Sequence, residues 1–416
     1  MKKLLIISLL AVPLGFSAAL PSAAPDQNGM SAERLNRIDG VMKKHVEAGD
    51  LAGASGLISR NGKIVFRGAW GDYKPDTIVR MYSMTKAVTG VAAMILYDEG
   101  KFSLNDPVSK YLPEFAATKV GKEGTDAVGK RTFYSVPLDR PILVKDLFRH
   151  TTGMDYAGPK DEKGENVYKK IDMMGGAPLV DFNLAEATKR LASVPLNEQP
   201  GTAFRYGYSI DVLGRLVEVL SGKTLDQYFE EKIFKPLGMK DTSFFVSEDK
   251  WNRLATLYSP KRGEGATGIE KSTGSAQDSY KKKPNLLLGG AGLTSTLDDY
   301  ARFYQMLLSN GQLDGVRILS PKSVEMMHSE TLDGMPHIGG TLPAYAGFGL
   351  TFAINPRSGK SGEPASEGSY WWGGAAGTSF WIDPKEHMFG IFFINILPPN
   401  NNAAQQFQRM AYQALD

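Results

Sequence analysis

The stretch that decides the reading spans residues 80–90, Arg80-Met81-Tyr82-Ser83-Met84-Thr85-Lys86-Ala87-Val88-Thr89-Gly90 ("RMYSMTKAVTG"). It continues into "VAAMILY", so a serine and a lysine three apart open a long apolar run. Residues at i and i+3 share a helix face, which sets the ammonium of Lys86 beside the hydroxyl of Ser83. A serine at a helix N-terminus also has unpaired backbone N–H groups and the positive dipole end beside it. Both favour an anionic oxygen. The spacing alone is a weak signal, because the chain holds three Ser-x-x-Lys matches: Ser83/Lys86, Ser247/Lys250 and Ser279/Lys282. The second lies in the polar "VSEDKWN" and the third in a lysine-rich loop, so only the first leads into an apolar helix. The ordinary alternative is Ser83 as an N-cap and Lys86 as a solvated first-turn residue.

Two more segments carry groups that suit the pair. In "PGTAFRYGYSIDVLGRLVEVLSG" a Pro-Gly turn leads to Tyr206, ahead of a helix with Val212, Leu213, Leu216 and Leu220 on one face. A phenol there can share a proton with serine and lysine; by itself it reads as a core aromatic. In "SYWWGGAAGTSFWIDP" two adjacent glycines mark a bulge or a close backbone approach in a strand. A substrate along that edge would find the N–H of Ala375 as an oxyanion donor.

The remaining composition narrows the class. With 416 residues, 42% hydrophobic and 22% charged, the chain can fill one large domain or two smaller ones. Lys2 and Lys3, the run Leu4 to Phe16 and the small residues Ser17, Ala18 and Ala19 follow the order of a secretory signal peptide over roughly residues 1–24, with cleavage expected near Ala19 or Ala24. The run is short for a membrane span and contains Pro13. No stable membrane anchor is expected after cleavage. Without Lys2 and Lys3 the formal charge falls from +3 to +1, and nothing resembles a nucleic-acid footprint. Zero cysteines exclude disulfides, a thiol nucleophile and a lipidated N-terminal cysteine. The expected location is the periplasm or the medium.

Strand patterns gather at the two ends of the chain and helix patterns in the middle. Ser31 to Ala48 reads as a helix capped by Ser31, and Asn61-Gly62 as a hairpin turn between two strands. "AGFGLTFAI", "YWWGGAAGTSFWI" and "MFGIFFINI" read as strands, with a closing helix from Ala403 to Leu415. Helical segments are expected around 87–99, 142–150, 184–193, 209–221, 225–234, 297–309 and 321–328, with 116–140 and 157–180 as loops beside the site. The economical arrangement is α+β: one antiparallel sheet built from both ends and flanked by the terminal helices. Residues 25–80 with 285–416 form that sheet domain, residues 81–284 a mostly helical domain, and the active site lies between them.

The order Ser-x-x-Lys, then Tyr before a helix, then a Gly-rich strand near the end resembles the serine β-lactamase and penicillin-binding-protein superfamily. Within it the chain is most similar to family VIII carboxylesterases, relatives of class C β-lactamases. "LFRHTTGM" at 147–154, "FKPLGMKDTSF" at 234–244 and "GGAGLTSTLDDYARF" at 289–303 support the likeness, which covers nearly all of the mature chain. Where β-lactamases carry Tyr-x-Asn, this chain has Tyr206-Gly207-Tyr208; where they carry Lys-Thr-Gly, it has Trp372-Gly373-Gly374. The missing cation and amide would engage the carboxylate and side-chain amide of a β-lactam. Their replacement favours neutral acyl esters, with at most slow side activity on cephalosporins.

The resemblance implies Ser83 as nucleophile, Lys86 and Tyr206 as the proton-transfer pair, and the backbone N–H groups of Ser83 and Ala375 as oxyanion donors. Tyr208, Phe348, Trp371, Trp372, Gly373 and Gly374 are the substrate-binding candidates. A small-molecule ester is the expected partner, with no cofactor and no metal. No Gly-x-Ser-x-Gly elbow and no His-Glu-x-x-His pair occurs. The five histidines are scattered, and His150 reads as a local hydrogen-bonding or capping residue that can also lie near the site. The competing readings are a β-lactamase or D-amino-acid peptidase of the same superfamily, and a non-catalytic peptidoglycan-binding relative. The intact Ser83, Lys86 and Tyr206 speak against the last.

Overall fold

The structure is a computed structural model that describes residues 19–171, 180–263, 266–357, 359 and 361–416. Its centre is a seven-stranded sheet of β1 (Gly53–Arg60), β2 (Lys63–Gly71), β3 (Gly347–Phe348), β4 (Ala353–Ile354), β5 (Tyr370–Gly373), β6 (Ser379–Asp383) and β7 (Met388–Phe393). The order is β3-β4-β5-β6-β7-β1-β2, and each neighbouring pair is antiparallel. The two ends of the chain meet where β1 pairs with β7, from Ser55↔Phe393 to Arg60↔Met388. Asn61 and Gly62 both hold positive φ, 53° and 75°, the conformation that a tight turn between twisted strands requires.

Both faces of this sheet are covered, which is why every residue of β7 is buried. On the outer face lie α1 (Ala32–Glu47) and α5 (Asn402–Gln413). Helix α1 starts at Ser31, whose Oγ accepts the Arg34 N–H at 3.3 Å, as an N-cap should. Leu35, Ile38 and Met42 then meet Phe407, Ala411, Trp70, Trp381 and Phe392 in one apolar cluster. On the inner face α4 (Leu297–Leu308) packs Tyr304 flat on Phe380, ring centres 4.3 Å apart. That inner cluster continues without a break into the helical region through α2 (Thr85–Asp98) and α3 (Ser209–Ser221). Residues of the mostly helical stretch 81–284 and of the sheet-forming ends thus belong to one continuous apolar cluster.

Several expectations need correction. "AGFGLTFAI" is two short strands, β3 and β4, joined by a turn in which Thr351 has φ 81°. "YWWGGAAGTSFWI" is likewise a hairpin, β5 and β6, because the chain reverses at residues 374–378. Segment 116–140 contains an antiparallel hairpin, Lys119–Thr125 with Arg131–Pro137; its glycines and lysines hide the alternation that announces a strand. The 225–234 helix runs as α only over Leu225–Phe229 and then widens into a π turn over Glu230–Phe234. The leader run from Leu4 to Phe16, and residues 172–179 of the expected 157–180 loop, lie outside the described residues.

Asp299, in the first turn of α4, ties this helix to the preceding chain. Its carboxylate accepts the Asp241 N–H and the Thr242 hydroxyl, both at 2.7 Å. Burial pushes the carboxyl up to about 6, against the pull of the Thr242 hydrogen bond. A carboxyl with a raised folded-state pKa binds its proton more tightly folded than unfolded. Wild type should therefore gain stability relative to Asp299→Asn as pH falls from 7 to 4, by about 2 kcal/mol. Urea denaturation of both proteins at the two pH values measures this, and a constant gap would contradict it.

Candidate active site

Helix α2 carries the pair that the sequence singled out. Twelve of its residues, Thr85 through Leu96, are buried, the mark of a helix enclosed on every side. Ser83 sits in the single 3-10 turn Tyr82–Met84 that feeds it, half-buried and at its N-terminal end. The preceding Tyr82 has φ 45°, a left-handed conformation that a bulky residue adopts only at a cost of roughly 1–3 kcal/mol. Its ring is held edge-on to Tyr280, 6.3 Å between centres.

Lys86 is 1% exposed. Its ammonium donates to Ser83 Oγ at 3.1 Å, to the Tyr156 hydroxyl at 3.1 Å and to the Gly290 carbonyl at 2.7 Å. The solvated first-turn lysine of the ordinary reading is thus ruled out. The segment 289–293 that brings Gly290 is laced along α2: Thr89 Oγ1 donates to Gly289 O at 2.6 Å, Leu293 N to Thr85 Oγ1 at 3.1 Å, and Met81 N to Leu293 O at 2.9 Å.

Tyr206 lies beside the lysine, though without a direct hydrogen bond to it. The Lys86 ammonium stands over the Tyr206 ring, 4.6 Å from its centre, a cation–π placement. The Tyr206 hydroxyl accepts the indole N–H of Trp372 at 3.3 Å. Tyr156, which accepts from the lysine, packs beside them with its ring edge-on to both Tyr206 (5.6 Å) and Tyr208 (4.8 Å). The loop that holds Tyr156 approaches closely because residue 207 is glycine: a Cβ there would lie 2.3 Å from the Asp155 Cα. Arg205 pins the same loop through its ion pair with Asp155 at 2.8 Å. Burial, then the charges of Tyr206 and Asp211, push the Tyr156 hydroxyl well above the usual phenol range. Tyr156 therefore stays a neutral phenol.

His150 backs Tyr206 from behind, ring centres 4.6 Å apart. Its Nδ1 accepts the Gly207 N–H at 3.4 Å. Burial, reinforced by the Lys86 charge, holds this imidazole well below its ordinary pKa, so it is neutral and serves as packing and as an acceptor.

The Gly-rich stretch closes the site from the sheet side. Gly373 ends β5 opposite Ser379, and Gly374 N donates to Thr378 O at 2.7 Å. A Cβ on Gly374 would sit 2.4 Å from the Met81 carbonyl; only glycine lets the turn lie against the backbone beside the nucleophile. Thr378 Oγ1 also donates to Met81 O, at 3.3 Å. Ala375 follows at the exposed turn, and its N–H has no acceptor among the described residues.

Of the substrate-binding candidates, Trp372, Gly373 and Gly374 stand next to Tyr206 or the nucleophile turn. Tyr208 and Phe348 are buried, at 3% and 1% exposure, behind Tyr156 and behind Trp372 and His150 respectively. Trp371 is half-buried and stacks on Trp372, 5.8 Å between centres. Sequence reasoning missed Tyr156, Asp211 and Gly290. The only pointer to Tyr156 was its position just after "LFRHTTGM".

Two substitutions probe this geometry. Tyr156→Phe removes one of three acceptors around a buried ammonium and should lower kcat roughly 10- to 100-fold, since a hydrogen bond to a charged group is worth about 1.5–3 kcal/mol. Gly374→Ala should displace the Ala375 turn and cost about 100-fold in kcat with little change in Tm, as misplacing a catalytic group by about 1 Å does. Steady-state kinetics with thermal melts checks both; unchanged kcat in either would contradict the placement.

The β-lactamase family profile matches residues 38–415. The chain is 35% identical to protein Rv1367c of Mycobacterium tuberculosis over 330 residues, 78% of each chain. It is 28% identical to esterase EstB of Burkholderia gladioli over 374 residues, 85% of this chain and 88% of that one. Among solved structures it is similar to EstCE1, described as a hydrolase with promiscuous acyltransferase activity, at 25% identity and a TM-score of 0.74, covering 91% of this chain and 99% of the other. The chain belongs to the β-lactamase family.

Proposed function

We propose that the protein is an exported serine carboxylesterase that hydrolyses short- to medium-chain acyl esters through an acyl-enzyme on Ser83. The observation that carries this reading is the buried Lys86 ammonium, held 3.1 Å from Ser83 Oγ and over the Tyr206 ring. A cation so placed favours an ionised oxygen on either neighbour. Between Lys86 and Tyr206, the family resemblance assigns the base to Tyr206. Ser83 Oγ attacks the ester carbonyl as its proton passes to the Tyr206 oxygen, and the N–H groups of Ser83 and Ala375 receive the oxyanion. The tetrahedral intermediate collapses to the acyl-enzyme while the Tyr206 hydroxyl protonates the departing alkoxide. Water then repeats the sequence: it loses a proton to Tyr206, attacks the acyl carbonyl, and Ser83 leaves with its proton restored.

Neutral esters are favoured because the position of the β-lactamase Lys-Thr-Gly lysine is held by Trp372, whose indole N–H is committed to Tyr206. Trp371, stacked on Trp372, extends the aromatic wall. The likeness to the esterase EstB and to the hydrolase EstCE1 supports this reading. Export is proposed from the leader pattern. Leu20 is buried and Pro21 O accepts the Ile64 N–H at 2.8 Å, so cleavage after Ala19 keeps these contacts and cleavage after Ala24 loses them.

A panel of p-nitrophenyl esters of increasing chain length, run beside nitrocefin on wild type and Ser83→Ala, tests the function. Short-chain esters should exceed nitrocefin in kcat/KM by about 100-fold or more, as expected of a pocket that lacks the polar groups an analogue needs. Ser83→Ala should lose essentially all turnover. Nitrocefin hydrolysed faster than any ester would overturn the esterase reading.

A further inference from the structure

Asp211 is the third residue of α3 and only 3% exposed. Among the described residues it forms no ion pair with any lysine, arginine or histidine. An isolated buried carboxylate is costly unless a charge of opposite sign lies near. Its Oδ1 accepts the Gly290 N–H at 2.9 Å, and the Gly290 carbonyl in turn accepts the Lys86 ammonium at 2.7 Å. Carboxylate and ammonium thus grip one residue from its two ends, with no water-exposed charge between them. The remaining titratable groups around the pair are neutral or aromatic: Tyr156 and His150 from the 149–158 segment, and Tyr206 and Tyr208 from the chain ahead of α3. Segment 286–293 faces the lysine with backbone, and β5 faces it with Trp372.

We propose that Asp211 is the buried counter-charge of Lys86 and fixes the Gly290 carbonyl to which Lys86 donates. Asp211 touches no substrate; it is a positioning residue that acts through Lys86. Burial raises the Asp211 carboxyl above its ordinary value, and the Lys86 charge opposes only part of that rise. The inference rests on the esterase reading of the same site.

Asp211→Asn separates charge from shape, because the amide oxygen can still accept the Gly290 N–H. Removing a negative charge makes each proton leave the Lys86/Tyr206 cluster more readily. Both limbs of the pH profile should therefore move to lower pH, by about one unit for an opposite charge at this range. The readout is the pH dependence of kcat/KM for a p-nitrophenyl ester and of inactivation by a fluorescent phosphonate, with Tm alongside. Asp211→Ala, which also frees the Gly290 N–H, should lose kcat and Tm on top of the same shift. An Asp211→Asn profile that superimposes on wild type, whatever its amplitude, overturns the proposal. Wild type that neither turns over esters nor takes the phosphonate on Ser83 would instead sink the esterase reading.

Discussion

A lysine ammonium shut away from water is the constraint on which the site depends. Such a charge is tolerable only if its donors are satisfied and its field is balanced. Lys86 meets the first condition with acceptors from three separate stretches of chain: Ser83 one turn back, Tyr156 on the 149–158 segment, and Gly290 on the strap that runs beside α2. Moving any of the three segments leaves a donor unpaired in a dry interior. The lysine that donates to Ser83 therefore also registers helix, loop and strap against each other.

The sheet contributes the other half through backbone contacts. The antiparallel pairing of β1 with β7 joins the chain's two ends, and β5 emerges on the nucleophile side of that sheet. Gly374 and Thr378 then close on the Met81 carbonyl. The Ala375 N–H is thus presented by a strand end docked on the turn that holds Ser83. The aromatic wall follows from the same placement, because Trp372 points into the site and gives its N–H to Tyr206.

Much of this was legible in the sequence because it is written in local patterns. The apolar run after Lys86 singled out the Ser-x-x-Lys that the structure encloses and hydrogen-bonds, and Ser31, Asn61-Gly62 and the end-loaded strands pointed to the sheet and its covering helices. What stayed hidden is contact between distant segments. Tyr156 follows no spacing rule, and its role comes from an approach that Gly207 permits. Asp211 reads as an ordinary helix N-terminal acid, yet it turns inward to Gly290. The hairpin at Lys119–Thr125 and Arg131–Pro137 lacks alternation because little of it is buried. Phe348 and Tyr208 were read as substrate-binding candidates, and the structure buries them behind Trp372 and Tyr156.

The chemistry assigned to the site requires a covalent acyl group on one serine. Rapid acid quench of the protein during turnover of an activated short-chain ester, followed by peptide mass mapping, measures it directly. The expected result is an acyl adduct confined to the peptide that contains Ser83, absent in Ser83→Ala and strongly reduced in Lys86→Ala. Turnover with no adduct, or an adduct on a different residue, would contradict the mechanism at its centre.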